Sequence, residues 1–301
     1  LMTASAAAIA AFPGIALAQN AVKMNAVVIG FGGRGEGAAS NFLEACGVAG
    51  VQGSIVAVAD LFPTKAARAA EAYGVPQERF FTGFDGYLKA LNQPGVNYVI
   101  LATPPGFRPA YFKAAVAAGK NIFAEKPVAV DGPGCRIMYE AAEAAKKKGL
   151  KVAVGTQRRH SAPYIETIKR IKAGEIGDVM SLRAYWVNGG PIWHRGLQGD
   201  SEIERQIRNW YHYIWTCGDH IVEQHVHNID VCNWLMDDAH PVKCWGMGAR
   251  QQLGDKPGEI WDNFAVEFEY ANGIRMYSYC GQIKRDKSNV SEAVQCVKGT
   301  S

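Results

Sequence analysis

The chain lacks a C-x-x-C pair, a long apolar run, a strong excess of either charge, and the glycine or proline content of a low-complexity polymer. Its seven cysteines (Cys46, Cys135, Cys217, Cys232, Cys244, Cys280 and Cys296) are widely spaced, which excludes zinc ribbons and thioredoxin-type redox motifs. An odd count on a chain this large fits buried free thiols, with disulfides open only if the protein is exported. Lys and Arg number 32 against 28 Asp and Glu, and no basic run extends beyond Lys146–Lys148, so no nucleic-acid partner is expected. Glycine (33) and proline (13) stay well below the roughly 25–30% of disordered or collagen-like chains. The longest apolar stretch, Ala4–Ala18, falls short of the about 20 residues a membrane span needs. No internal repeat is present.

What remains is a 301-residue chain, 48% apolar, with the length of about two domains. Ala4–Ala18 ends in Ala16-Leu17-Ala18, followed by polar Gln19 and Asn20. A small-residue apolar run closed by an A-x-A pattern reads as the h-region and cleavage site of a secretory signal. Residues 1–19 are therefore expected to be a signal remnant and the protein to be exported to a bacterial periplasm; the bland alternative is an Ala-rich surface helix.

From residue 20 to 155, short apolar runs alternate with helical stretches. Strands are expected at Ala26–Gly30, Ser54–Asp60, Tyr98–Ala102, Asn121–Ala124 and Lys151–Gly155. Helices fall at Thr64–Tyr73, Phe84–Leu91, Arg108–Ala118 and Gly134–Lys148. Strands apolar throughout, separated by helices, predict an α/β domain: a doubly wound parallel sheet covered on both faces. The texture changes over residues 156–301. Helices at Pro163–Ala173 and Asp219–Met236 accompany strands at Val179–Asn188, Val242–Met247, Asn263–Tyr270 and Ile274–Gln282, with Asn272-Gly273 as a hairpin turn. Strands in sequence without helices between them predict an α+β domain with a mainly antiparallel open sheet. The chain ends in strand-like sequence, which reads as a C-terminal truncation of this domain.

Three segments carry chemistry. Gly30-Phe31-Gly32-Gly33-Arg34-Gly35 fits G-x-G-x-x-G between an expected strand and helix, a turn that lets a pyrophosphate approach backbone N–H groups at a helix start. Asp60, ending the next strand, is placed to accept ribose hydroxyls and to repel a 2′-phosphate, so NAD is the expected cofactor. Glu125-Lys126-Pro127 follows a strand directly, where a lysine faces the cofactor crevice and can stabilise a reacting hydroxyl. On a continuous helix at 100° per residue, His220, Glu223, Gln224, His227 and Asp230 share one face. Glu223 and His227, four residues apart, are then expected to touch, the carboxylate orienting an imidazole that removes a proton from a sugar hydroxyl. No metal is expected, with a site at His220, Glu223 and His227 as the alternative. The aromatic and cationic stretch Trp186–Trp215 fits a carbohydrate cleft or, nearly equally, an aromatic core or subunit interface. Candidate substrate contacts are Arg159, Trp193, His194, Tyr211 and Asp230.

The glycine turn, Ala102-Thr103-Pro104-Pro105, the run Ala117–Pro127 (AAGKNIFAEKP) and His227-x-x-Asp230 together resemble the Gfo/Idh/MocA oxidoreductases over roughly Val22 to Ser301. The resemblance implies a Rossmann domain with NAD contacts at Gly30, Gly32, Gly33, Arg34, Gly35, Asp60, Thr103, Pro104, Glu125 and Lys126. It also implies catalysis by Lys126 and His227, and a homo-oligomer built on the C-terminal sheet. Two positions depart from the family: Glu223 stands where many relatives have aspartate, and Arg108 where many have histidine. An exported member would retain its NAD and fold before export, which points to the twin-arginine route. The expected activity is hydride transfer from a sugar or sugar-derivative hydroxyl. Alternatives are an NAD-dependent glycosidase, working by transient C3 oxidation, elimination, hydration and re-reduction, and a non-catalytic sugar-binding protein.

Overall fold

The computed structural model describes residues 23–188, 199–282 and 288–301. The expected signal remnant (1–19) and the candidate contacts Trp193 and His194 lie outside the described residues.

The N-terminal half alternates β1 (Lys23–Ile29), α1 (Gly33–Val48), β2 (Gln52–Asp60), α2 (Pro63–Tyr73), β3 (Phe80–Thr82), α3 (Gly86–Leu91), β4 (Tyr98–Leu101), α4 (Arg108–Ala117), β5 (Asn121–Ala124), α5 (Gly132–Lys147) and β6 (Val152–Val154). The strands form one parallel sheet in the order β3-β2-β1-β4-β5-β6. Side chains alternate across it. Val27, Ile29, Val99 and Leu101 point into one core with Phe112 and Val116 of α4, while Ala26, Val28 and Ile100 point into another with Ala38 and Ala39 of α1. Burial on both faces explains why these strands read as unbroken apolar runs. The strand order reverses between β1 and β4, and a crevice opens where their carboxyl ends part.

The C-terminal half contains α6 (Ala162–Lys172), β7 (Val179–Val187), α7 (Glu202–Arg208), α8 (Ile214–Cys217), α9 (Asp219–Glu223), α10 (Val226–Leu235), β8 (Lys243–Ala249), β9 (Asn263–Glu269), β10 (Arg275–Gly281) and β11 (Asn289–Cys296). Its sheet runs β11-β7-β10-β9-β8, antiparallel except for the β7–β10 pair. The β9–β10 hairpin turns at Asn272-Gly273 as expected, with Gly273 at φ +81°. Leu182, Ala184, Met276 and Val294 pack against Ile168 and Ile171 of α6 and Val231 and Leu235 of α10. On the opposite face Trp245, Met247 and Tyr279 stay exposed.

One expected element is corrected. Asp219–Met236 is two helices, broken at Gln224-His225. The first starts at Asp219, with a left-handed φ of +71°; Gln224 makes the ordinary four-residue bond to the His220 carbonyl, and His225 donates to that same carbonyl, five residues back. His225 then turns into the core, where its Nε2 lies 2.8 Å from Ser278 Oγ on β10. The break resets the angular phase of everything after it.

The halves meet along α7, α8 and the short turn between them. The Arg208 guanidinium lies 4.2 Å from the centre of the Phe62 ring, and Trp215 packs edge-on against Phe107 at 5.6 Å. This brings the C-terminal half over the carboxyl ends of the parallel strands.

Candidate active site

A cleft of about 920 Å³ runs along those strand ends. Its walls include Gly30, Gly32, Gly33, Arg34, Asp60, Thr103, Pro104, Glu125 and Lys126 from the first half, and Arg208, Trp210, Glu223 and His227 from the second.

The glycine turn divides its labour by position. Gly30 has φ +89°, and a Cβ there would sit 2.8 Å from the backbone of Ala102 and Thr103. Gly35 does not line the cleft: a Cβ on it would lie 2.0 Å from the Gly30 carbonyl oxygen, so its missing side chain lets α1 pack on β1. Gly32 has no atom within 4 Å of where its Cβ would be. That open space, at the start of a 16-residue helix whose first N–H groups have no intrahelical acceptor, fits a pyrophosphate. Asp60 accepts the backbone N–H of Phe31 at 2.8 Å on one oxygen and that of Phe62 at 2.9 Å on the other. Each oxygen keeps a lone pair for a ribose hydroxyl. Thr103 Oγ1 is buried without a hydrogen-bond partner among the described residues. These residues fit a dinucleotide.

Arg34 reaches across the turn to Glu125, Nε to Oε1 2.5 Å. Buried Arg108 binds two backbone carbonyls, those of Thr103 after β4 and of Pro127 after β5. Desolvation pulls its guanidinium down to about 10, with the carboxylates of Glu223 and Glu125 opposing. Arg108 thus ties the two strand-end loops together and lines the cleft.

Lys126 extends from the end of β5, ahead of a cis Lys126–Pro127 peptide, and donates to the backbone carbonyl and to Oε1 (3.0 Å) of Glu223. Its third N–H is left for a substrate oxygen. Burial raises the proton affinity of Glu223, and the cations of Lys126 and Arg108 oppose that rise. The expected Glu223–His227 contact does not form: the helix break turns Glu223 to Lys126. His227 instead stacks on Trp186, ring centres 5.7 Å apart and planes 18° from parallel. Burial, then Lys126 and Arg158, lower its pKa to about 3, so the imidazole is neutral and able to accept a proton. His220 and His225 are fully buried and lowered to about 4 and about 3, chiefly by desolvation. Among the described residues no group of three His, Cys, Asp or Glu side chains is placed to hold a metal ion, so the alternative site at His220, Glu223 and His227 is not assembled.

Three sequence-read substrate contacts are placed elsewhere. Arg159 and Asp230 bind each other in a bidentate pair (2.8 and 2.9 Å), with Asp238 on the same guanidinium at 2.7 Å. Tyr211 is buried beside Cys217, Leu253 and Ile260, its hydroxyl accepting from Gln282 at 3.1 Å. None of the three lines the cleft. Gln157 and His160 do, just past the end of β6. The strand-end rule that singled out Lys126 would have found them.

Comparison with known proteins covers nearly the whole described chain. Residues 24–156 match the family described as "Oxidoreductase family, NAD-binding Rossmann fold", and residues 164–300 match the "GFO/IDH/MocA C-terminal domain". Inositol 2-dehydrogenase of Klebsiella pneumoniae (strain 342) is 28% identical over 62% of this chain and 47% of its own. The inositol 2-dehydrogenase/D-chiro-inositol 3-dehydrogenase of Lactiplantibacillus plantarum is 26% identical over 74% of this chain and 56% of its own. The chain therefore spans about half the length of the curated relatives it matches. Among solved structures, scyllo-inositol dehydrogenase from Lactobacillus casei, with bound NAD(H) and scyllo-inositol, superposes with a TM-score of 0.72 at 19% identity, covering 93% of this chain and 76% of that one. At that identity the likeness shows the fold.

Gly35→Ala should cost about 2 kcal/mol or more in stability, because backbone must move to admit the methyl group. Gly32→Ala, at φ −79°, should melt like the parent but bind NAD at least tenfold more weakly. Paired thermal melts and calorimetric titrations check the contrast; equal effects of the two variants would remove the assignment of Gly32 to the pyrophosphate. His220→Leu isolates a buried imidazole whose two nitrogens have no hydrogen-bond partner among the described residues. In the unfolded chain that imidazole protonates near 6.5, in the folded one only near 4, so the parent loses stability as pH falls between these values. Chemical denaturation should show the advantage of His220→Leu widening by about 2 kcal/mol between pH 7 and about 4.5. A constant difference would contradict burial of a neutral imidazole.

Proposed function

The chain belongs to the GFO/IDH/MocA oxidoreductase family, and from that premise we propose that it oxidises a secondary hydroxyl of a cyclic polyol or sugar, with NAD retained in the cleft. The observation that carries the reading is the meeting of three parts in one cleft. The glycine turn and Asp60 sit at one end, and Lys126 and His227, from different halves of the chain, share a wall. The names of the relatives as inositol dehydrogenases support a polyol. When bound, the dinucleotide supplies the hydride acceptor. Gly32–Arg34, Asp60 and Thr103 would hold it.

The chain's own residues do the rest. The remaining N–H of Lys126 grips the reacting hydroxyl oxygen and stabilises negative charge developing there. His227, neutral, takes the hydroxyl proton. Glu223 holds the ammonium in place and offsets its charge. Arg108 keeps the loops carrying Thr103 and Pro127 at a fixed separation.

Purified protein incubated with NAD and a panel of inositols, aldoses and amino sugars should produce the reduced-nicotinamide absorbance with at least one of them. Lys126→Met and His227→Asn should each lower turnover by about 10²–10⁴-fold while NAD binding stays within a few-fold. Full turnover in His227→Asn, or none with any hydroxylated substrate despite bound NAD, would overturn the reading.

We also propose that a second copy of the chain covers the outer face of the C-terminal sheet. Trp245, Met247 and Tyr279 are exposed there, 77% in the case of Met247, between charged rows in which Arg275 pairs with Glu267 and Glu269. Light scattering should give a dimer or larger assembly at micromolar concentration, and Trp245→Glu with Met247→Glu should dissociate it. A monomeric parent would remove the proposal.

A further inference from the structure

Among the described residues no side chain hydrogen-bonds to His227 to fix the plane of its ring; its neighbour is the indole of Trp186, on the inner face of β7. The same indole has the Arg158 guanidinium 5.7 Å from its centre. Arg158 belongs to the turn Gln157–His160 after β6 and is only 8% exposed. Its Nε lies 3.2 Å from Tyr164 Oη on α6 and 3.4 Å from Glu292 Oε1 on β11. Glu292 in turn accepts from Tyr164 at 2.8 Å and from Asn228, the residue after His227, at 2.6 Å. Five elements therefore converge to hold one cation and one indole behind one imidazole.

We propose that Trp186 and Arg158 are positioning residues for His227: the indole sets the plane of the imidazole, and the guanidinium held against the indole places a fixed cation behind it. The inference rests on His227 as the proton acceptor of the proposed reaction. Stacking of two flat rings restricts rotation of the imidazole about its last side-chain bond. A fixed cation nearby disfavours a second one, so Arg158 opposes protonation of His227. The charges that bear most on His227 are Lys126 from the end of β5 and Arg158. Glu223 of α9, His160 after β6, and Arg108 and Glu125 at the strand ends line the same cleft; His220 of α9 and His225 before α10 are buried and neutral, and Asp230 of α10 is paired with Arg159. Glu292 and Tyr164 stand behind Arg158. Lys126 is already paired with Glu223. Arg158 shares Glu292 with Asn228 and Tyr164, and its Nη1 has no hydrogen-bond partner among the described residues.

The test is an NMR titration of the histidine ring resonances in the protein without substrate, which needs no turnover. Replacing Arg158→Met together with Glu292→Gln, so that no buried carboxylate is stranded, should raise the His227 midpoint by about one pH unit. Arg158→Gln alone keeps a donor for Tyr164 and Glu292 and should give a rise in the same direction should the double variant not fold. Arg158→Lys should hold the midpoint near the parent value. Trp186→Leu should move the His227 ring protons by loss of the indole ring current and lower kcat about tenfold, with KM within about twofold. An unchanged midpoint in the Arg158→Gln protein, or unchanged ring-proton shifts in Trp186→Leu, overturns the inference. A raised midpoint in a protein that oxidises no polyol would leave the inference standing and remove only the proposed function.

Discussion

The site depends on one buried ion pair. Lys126 leaves the end of β5, a strand fixed in the parallel sheet, and ends on the backbone and carboxylate of Glu223 in α9. Both side chains are nearly closed to solvent, at 14% and 9% exposure. Such a pair adds little net stability, because removing two charges from water offsets most of their attraction. Its effect is positional. Without it a cation would face the cleft unpaired and a carboxylate would be stranded in the protein. With it, α9 has one seat on the Rossmann half, and His227, four residues on, is carried to the same wall.

Much of this was legible in the sequence because strand ends are legible. A run such as AVVIG or NIFA marks a parallel strand, and whatever follows its last residue faces the crevice; Gly30, Glu125 and Lys126 follow from that rule, and Thr103 from the family resemblance. Asp60 ends β2 by the same logic. The two-sheet architecture followed from the change of pattern near residue 155. β3, three residues long, is too short to leave a periodic signal, and it was not anticipated.

What was not legible depended on contacts distant in sequence. The helical period continues through Gln224 and His225, so nothing local marks the break; it goes with His225 docking on Ser278, 53 residues away. With the phase reset, Glu223 meets Lys126 instead of His227. Arg159 and Asp230 looked like polar groups awaiting a ligand, yet they satisfy each other across 71 residues of chain. Tyr211 lay in an aromatic stretch that fitted a cleft or a core, and it joined a core. Trp186, from the same stretch, went to the imidazole.

Arg108 has a consequence beyond holding two loops. Hydrogen bonds between β4 and β5 end with the strands, and past that point a single guanidinium does the work of a further rung in the ladder, reaching one carbonyl on each side. Strand spacing is a property of the whole sheet, but spacing beyond it is a property of this one side chain. A shorter residue there would let the two loops drift independently. The gauge of the cleft at these strand ends is therefore held by a side chain as well as by the ladder beneath it.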